Sequence, residues 1–201
     1  MFTEQQEKWL KRVEDLFLRY GIKSITMDDV SRELGISKKT LYQFVDSKDD
    51  LVNKVLERHI EAEKSQCGQL FDAAGNAVEE MFLVMEANAI QLQQMKSNIV
   101  FDLQKYHREA WEKIETFQRG FLYDIVYANL ERGIREGLYR PDFDVDIVAK
   151  LHIAMSFHLF DETYFPHQTY PKETLFREFL LHYLYGIVSD KGLQLLKAKL
   201  S

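Results

Sequence analysis

Hydrophobic residues recur every three or four positions along most of the chain, which is the spacing of amphipathic helices. The first stripe lies within residues 1–20 and predicts a helix that ends at Gly21. Its members are Trp9, Leu10, Val13, Leu16, Phe17 and Tyr20. We therefore expect Trp9 and Phe17 to be core residues, in a helix that packs behind the elements that follow it.

Residues 26–44 carry the signals of two short helices joined by a tight turn. Thr26 can cap the first helix, and Asp29 at its third position can complete a capping box. Gly35 suits the turn because glycine adopts a left-handed backbone conformation without a side-chain clash. Ser37 can cap the second helix. This is the pattern of a helix-turn-helix, which occurs in DNA-binding proteins and in others.

A third helix is predicted over residues 48–66, after a cap at Ser47 and with Asp50 in a second capping box. Its apolar stripe continues the core pattern of the preceding helices. The members of that stripe are Leu51, Val55, Leu56, His59 and Ile60.

The outward face of the second short helix has the chemistry of a DNA-binding surface. Lys38 and Lys39 lie at the start of the helix, where unpaired backbone N–H groups and the helix dipole attract a phosphate. Tyr42 and Gln43 end in polar groups suited to a phosphate oxygen or a base edge in the major groove. Lys48, in the first turn of the next helix, is a further candidate for a phosphate contact.

The order of residue types from position 21 to position 51 resembles the N-terminal domain of TetR-family transcriptional regulators. The matching residues are Gly21, Thr26, Val30, Leu34, Gly35, Ser37, Thr40, Leu41, Tyr42, Phe44, Ser47, Lys48 and Leu51. The resemblance implies a DNA-contacting set made of Thr26, Ser37, Lys38, Lys39, Thr40, Tyr42, Gln43 and Lys48. Family members often carry Ala and Gly where this chain has Ser31 and Lys39, and the added lysine charge bears on which operator is bound.

Helical patterns continue to the end of the chain and predict an all-α protein of about nine or ten helices. They cover residues 73–95, a short segment at 97–111, a long helix at 114–136, and two last helices at 145–164 and 172–188. A second, weaker resemblance to the family lies between Glu131 and Ala149.

The same reasoning divides the chain by function. Residues 1–48 are expected to form the DNA-binding domain, residues 49–66 a linking helix, and residues 67–201 a helical domain for effector binding and dimerisation.

Both of the last helices are apolar on more than one face, which exceeds what packing within one chain requires. We therefore predict a homodimer. Its predicted interface consists of Leu151, Met155, His158, Leu159, Phe176, Phe179, Leu180, Tyr183, Leu184 and Ile187. The family resemblance implies a four-helix bundle between two subunits, which places two reading helices on successive major grooves of a palindrome, about 34–36 Å apart.

The resemblance also implies a cavity among the middle helices for a small, largely apolar effector, which would shift the linking helix and release a repressor from its operator. Flexible apolar side chains and a few polar groups could line it. The candidates are Phe82, Met85, Asn88, Phe101, Gln104, Tyr106, His107, Trp111, Phe117, Phe121, His152 and Phe157. A packed core without a cavity is the alternative interpretation.

Composition limits the other possibilities. The 201 residues carry a formal net charge of −6, so DNA binding must be local, and Lys38, Lys39 and Lys48 outnumber Asp46 between residues 37 and 48. The single cysteine, Cys67, cannot form an internal disulfide and is typical of a reducing compartment. No signal peptide or membrane-length apolar run is seen, so we expect a cytoplasmic protein.

Catalysis is not expected, because the chain has no HExxH motif, phosphate-binding glycine loop or recognisable nucleophile. His158 and Glu162 have the spacing of a metal-binding pair, but a solvated or dimer-facing pair is the simpler interpretation, and no cofactor or metal is predicted. A second class stays open, namely a helical ligand carrier or protein-interaction module that uses the same scaffold without binding DNA.

Overall fold

The computed structural model describes residues 2–94, 98–159, 161, 163–166 and 168–200, with only the backbone for 90–94. All of its regular elements are helices, apart from one isolated antiparallel bridge between Tyr139 and Val188. The predicted all-α class is confirmed. In chain order the helices are α1 Glu4–Tyr20, α2 Met27–Leu34, α3 Lys38–Phe44, α4 Lys48–Ala73, α5 Ala77–Gln94, α6 Ile99–Tyr106, α7 Arg108–Phe117, α8 Tyr123–Arg135, α9 Val145–His158, α10 Lys172–Ile187 and α11 Asp190–Leu200.

The predicted caps of the helix-turn-helix are confirmed. The Thr26 hydroxyl accepts the Asp29 N–H at 3.2 Å, and the Asp29 carboxylate accepts the Thr26 N–H at 3.0 Å. Gly35 ends α2 in the left-handed conformation, with φ 69° and ψ 31°. The Ser37 hydroxyl caps α3 by accepting the Thr40 N–H at 3.0 Å. Local hydrogen bonding between near neighbours therefore sets the bounds of both helices.

The cap before α4 differs in one detail from the predicted box. The Ser47 hydroxyl accepts the Asp50 N–H at 3.1 Å as expected, but the Asp50 carboxylate accepts the N–H of Asp46, one residue earlier, at 2.9 Å.

Two compact units make up the chain. Unit 1 consists of Met1–Lys64 with Gln94–Thr116, and unit 2 of Ser65–Gln93 with Phe117–Ser201. Helix α4 contributes residues to both. The predicted domain boundaries follow chain order, whereas both units are discontinuous in sequence.

The core of unit 1 joins the helix-turn-helix to α6 and α7. It is built from fully or nearly fully buried side chains, among them Leu10, Val13, Phe17, Val30, Leu41, Val45, Leu51, Val52, Ile99, Leu103 and Ala110. Trp9 packs against this core, so the predicted roles of Trp9 and Phe17 are confirmed. Gly21 ends α1 with φ 83°, and a Cβ there would lie 2.9 Å from the amide group of Asn98.

The core of unit 2 surrounds Tyr139, whose ring is packed directly over Gly133 of α8. The Tyr139 hydroxyl contacts the Ala77 carbonyl at 3.1 Å and the Asn129 side-chain oxygen at 3.0 Å. The side chains of Leu130, Leu180, Leu184 and Leu196 complete the fully buried layer.

Several predicted bounds differ from the structure. Helix α4 continues to Ala73 rather than ending near residue 66, because no helix-breaking residue interrupts it. The predicted long helix at 114–136 is divided by a π-helical turn at Gln118–Leu122. Helix α11 was not predicted, and it lies close to the turn after α8 because Gly192 packs on the Leu138 carbonyl. Within the described residues, no helix combines the length and apolarity needed to cross a membrane.

Candidate DNA-binding surface

Helix α3 presents three polar side chains to solvent. Lys39, Tyr42 and Gln43 are exposed, and the Tyr42 side chain retains 49% of its accessible surface. The opposite face is anchored by the fully buried Leu41 and by Phe44, whose ring lies edge-on to Trp9 at a centroid distance of 6.0 Å. The predicted outward set is thus held on a helix whose inner face is packed.

The hydroxyl groups at the start of α3 serve the helix itself. The Ser37 and Thr40 hydroxyl oxygens lie 2.8 Å apart, and the Ser37 oxygen also accepts the Thr40 N–H. The exposed Thr26 hydroxyl donates to Asp29 at 2.6 Å, and hydrogen bonds from Thr26 hold the pKa of that carboxyl below its usual value. A DNA contact by any of these hydroxyls would share its oxygen with a cap.

The predicted lysines have different environments. Lys38 is paired with Asp28 of α2. Lys48 donates to the carbonyls of Ile22 and Ile25 at 2.7 and 2.6 Å, and burial lowers the pKa of its ammonium group. Lys48 therefore supports the turn before α2 instead of projecting as a phosphate ligand.

Lys39 is exposed and has no hydrogen-bond or ion-pair partner within the described part of the chain. The positive spot that the sequence predicts around residues 37 to 48 consequently depends most on this residue. Its position in the first turn of α3 adds the helix dipole to its own charge.

Helices α6 and α7 hold this surface from behind, a role that was not predicted. The Asp102 carboxylate, buried to 2% exposure, accepts the backbone N–H of Lys23 at 3.0 Å. His107 Nδ1 lies 2.7 Å from a carboxylate oxygen of Asp49, in the first turn of α4. A lone carboxylate among the apolar residues of α6 was the sequence signal for such an anchor.

A second polar cluster joins α1 to α4. Glu14 binds Arg58 at 2.6 Å and His59 Nδ1 at 2.7 Å, while His59 Nε2 lies 3.4 Å from Glu63. Burial by itself lowers the pKa of His59, but the hydrogen bonds to Glu14 and Glu63 outweigh it and raise that pKa to about 9. His59 is therefore a protonated partner of Glu14 and not an apolar member of the stripe.

The structure separates the predicted effector residues into two groups. Those of α6 and α7 belong to unit 1, where Phe101, Gln104 and Tyr106 are exposed and His107 binds Asp49. Trp111 packs against the core of the same unit. These five residues were grouped with the pocket because their helix had no assigned partner, and their contacts within unit 1 argue against that role.

The remaining effector residues lie in unit 2. Phe82 is buried in its core with Met85 and Phe157 against it, Asn88 donates to the Val84 carbonyl at 2.9 Å, and the rings of Phe117 and Phe121 stack at 5.5 Å.

His152 lies between two aromatic rings, with centroid distances of 4.6 Å to Phe179 and 4.2 Å to Tyr183. Its Nδ1 atom and the Tyr183 hydroxyl are buried without a hydrogen-bond partner in the described structure. Burial lowers the pKa of His152 to about 4, so its imidazole is neutral near pH 7.

The predicted dimer residues also divide into two groups. Leu151, Met155 and His158 are exposed along one face of α9, with side-chain exposures of 56% and 47% for the first two. Five others are buried in the core of unit 2 and have no surface for a partner, namely Leu159, Phe179, Leu180, Leu184 and Ile187. Phe176 and Tyr183 pack partly against that core. The sequence could not tell which apolar face of each helix is filled by its own chain.

Ile147, which was not among the predicted interface residues, extends the exposed α9 face by one turn with 55% exposure. Glu162, the other half of the pair considered with His158, lies outside the described residues. Within the described part of the chain, no three His, Cys, Asp or Glu side chains come together as a metal site.

Comparison with known proteins agrees with this geometry. Residues 10–55 match the family described as bacterial regulatory proteins, tetR family. The HTH-type transcriptional regulator YvaF of Bacillus subtilis is 28% identical over 171 residues, which cover 84% of this chain and 88% of YvaF. The HTH-type transcriptional repressor KstR2 of Mycolicibacterium smegmatis is 24% identical over 197 residues, which cover 94% of each chain.

A solved structure shares the fold. It is the ketosteroid transcriptional regulator KstR2 of Mycobacterium tuberculosis, with a TM-score of 0.58, 20% identity, and coverage of 94% of this chain and 98% of that one. The family match at the helix-turn-helix, the regulators related along most of the chain and the all-helical fold together identify this chain as a TetR-family transcriptional regulator.

Proposed function

We propose that this regulator is a repressor that binds a palindromic operator as a homodimer and is released by a small, largely apolar effector. The observation that carries the proposal is the outward face of α3, where Lys39, Tyr42 and Gln43 are exposed on a helix anchored by Leu41. Residues 1–48 would supply the DNA-reading elements.

The roles within this face follow from the chemistry of each side chain. Lys39, with no partner of its own, would bind a phosphate beside the N terminus of α3. Tyr42 and Gln43 would reach a phosphate oxygen or a base edge, and the Gln43 amide can pair with adenine in the major groove.

The test is a selection of binding sites from random duplex DNA with the purified protein. We expect an inverted repeat. Lys39→Ala should weaken binding to every selected site and reduce the slope of log K against log salt by about 0.9, as for one lost phosphate contact. Gln43→Ala should instead change the preferred bases. Lys197→Ala, on the exposed surface of α11, is the control that removes the same charge.

No enrichment at low salt, with affinity for DNA indifferent to Lys39→Ala, would overturn the regulator's proposed operator binding. That result would favour a carrier module on the same scaffold.

The proposed dimer interface is the exposed face of α9. Ile147, Leu151 and Met155 form an apolar row along one helix, which water would otherwise cover. A two-fold pair of such rows is self-complementary, as an isologous interface requires.

The proposed effector-binding residues are His152 and Tyr183. Each has a buried polar atom without a partner among the described residues, and a neutral ligand with a carbonyl or hydroxyl group could satisfy both. KstR2 of Mycobacterium tuberculosis is named a ketosteroid regulator, and such a molecule has this chemistry. Release of operator DNA by the neutral ketosteroid progesterone, and loss of that release in His152→Phe, is the corresponding test.

A further inference from the structure

An exposed cluster of unit 1 lies outside the helix-turn-helix. It consists of Lys23, in the turn before α2, and Phe101, Lys105 and Tyr106 of α6, which we call the basic–aromatic patch. Phe101 and Tyr106 are 51% and 41% exposed, and their rings meet edge-on at a centroid distance of 6.5 Å.

Both lysines of the patch are held over the same ring. Lys23 Nζ donates to the Tyr106 hydroxyl at 3.1 Å and lies 4.9 Å from the ring centroid. Lys105 Nζ lies 5.5 Å from that centroid and 5.1 Å from the centroid of Phe101. Cation–π attraction favours these positions.

Neither lysine forms an ion pair with a carboxylate in the described part of the chain, in contrast to Lys38, Lys54 and Lys113 of the same unit. Two neighbouring positive charges therefore face solvent on an otherwise acidic protein. Their natural ligand is an anion with closely spaced charges.

The patch is fixed next to the DNA-reading elements. The Asp102 carboxylate holds the backbone N–H of Lys23, and the ammonium of Lys48 holds the carbonyls on either side of that residue, at Ile22 and Ile25. Thr26, which begins the cap of α2, follows Lys23 by three residues, a span of at most about 11 Å. DNA bound at the N terminus of α2 would therefore pass close to the patch.

We propose that the basic–aromatic patch binds phosphates of double-stranded DNA adjacent to those at the N termini of α2 and α3. This inference rests on the proposed DNA-binding function and extends the bound surface to α6. A duplex carries one negative charge per ~1.7 Å of its axis, which suits two ammonium groups held at one ring. The contact positions the protein and reads no bases, because phosphates carry no direct sequence information.

The experiment compares Lys23→Ala/Lys105→Ala with the wild-type protein on a 40-base-pair duplex containing the selected inverted repeat, at salt concentrations from 50 to 200 mM. We expect the salt slope to fall by about 1.8, at about 0.9 for each lost contact, with the preferred sequence unchanged. The matched control, Lys191→Ala/Lys197→Ala, removes the same charge from α11 and should leave the slope as it is.

An unchanged slope in the patch variant, while Lys39→Ala still lowers it, would overturn this inference and leave the regulator function standing. The patch would then fit an acidic segment of a protein partner better than DNA. If the wild-type protein binds no duplex at 50 mM salt, both proposals fail together.

Discussion

The ammonium group of Lys48 lies between two backbone carbonyls of the turn that precedes α2. From the sequence, this residue is a phosphate candidate at the start of a helix, since its charge and its register are both visible there. Its actual partners come from residues more than twenty positions earlier, and no local pattern predicts such a contact. Lys39, by contrast, depends only on the phase of α3, and its exposure follows from the sequence.

Substitution of Lys48 should therefore affect stability more than salt dependence. In Lys48→Met two carbonyls lose a charged donor, and we expect the free energy of unfolding to fall by about 1–3 kcal/mol. Urea denaturation measures this change, and Lys39→Met is the control because its side chain has no partner to lose. Equal stability of the two variants would show that the Lys48 contacts contribute nothing.

His59 gives unit 1 a stability that depends on pH. Its pKa in the folded protein is about 9, against an ordinary value of 6.5, so the protonated form is favoured by folding. The resulting stabilisation is complete below pH 6.5 and is lost as the pH rises through 9.

We expect the free energy of unfolding to decrease by on the order of 2 kcal/mol between pH 6.5 and pH 9, and this decrease to be much smaller in His59→Gln. Denaturation at a series of pH values tests this. Parallel pH profiles for the two proteins would assign the dependence to another group.

Among the elements, the short helices α2 and α3 are the ones that sequence reasoning predicts best. Their bounds depend on Thr26, Gly35 and Ser37, each of which acts within four residues of itself. The partners of α6 were not predictable in the same way, because Asp102 and His107 bind residues far away in the chain. The effector and dimer predictions failed in part for this reason, since an apolar face shows that a residue is buried but not what buries it.

Glycines inside helices provide a test of packing at this scale. A Cβ on Gly133 of α8 would overlap the ring of Tyr139, whereas a Cβ on Gly68 of α4 meets nothing within 4 Å. Gly133→Ala should lower the free energy of unfolding by about 1–3 kcal/mol, because the buried ring must move. Gly68→Ala should raise it by up to about 1 kcal/mol through helix propensity. Thermal unfolding of both variants measures the contrast, and destabilisation of similar size in both would contradict the packing explanation.

For the whole molecule, the exposed apolar row on α9 predicts a defined assembly state. Leu151→Arg/Met155→Glu places charges in the proposed interface, where they would be buried between subunits at high cost. We expect the wild-type protein to sediment as a dimer and the variant as a folded monomer with much weaker operator binding.

Leu195→Arg is the control, since Leu195 is an exposed leucine of α11 outside the α9 row. If the α9 variant remained a dimer, the subunits would have to meet through a different surface.

The division of unit 1 into two stretches of sequence has a consequence for how such regulators can be recombined. The residues that complete its core, Ile99, Leu103 and Ala110, come after a whole helix that belongs to unit 2. A chimera made by joining residues 1–64 to a foreign sensor would leave that core open unless the new sensor supplied matching side chains. Exchange of operator specificity between relatives is therefore easiest through the surface of α3 alone, with α6 and α7 left in place as part of the host.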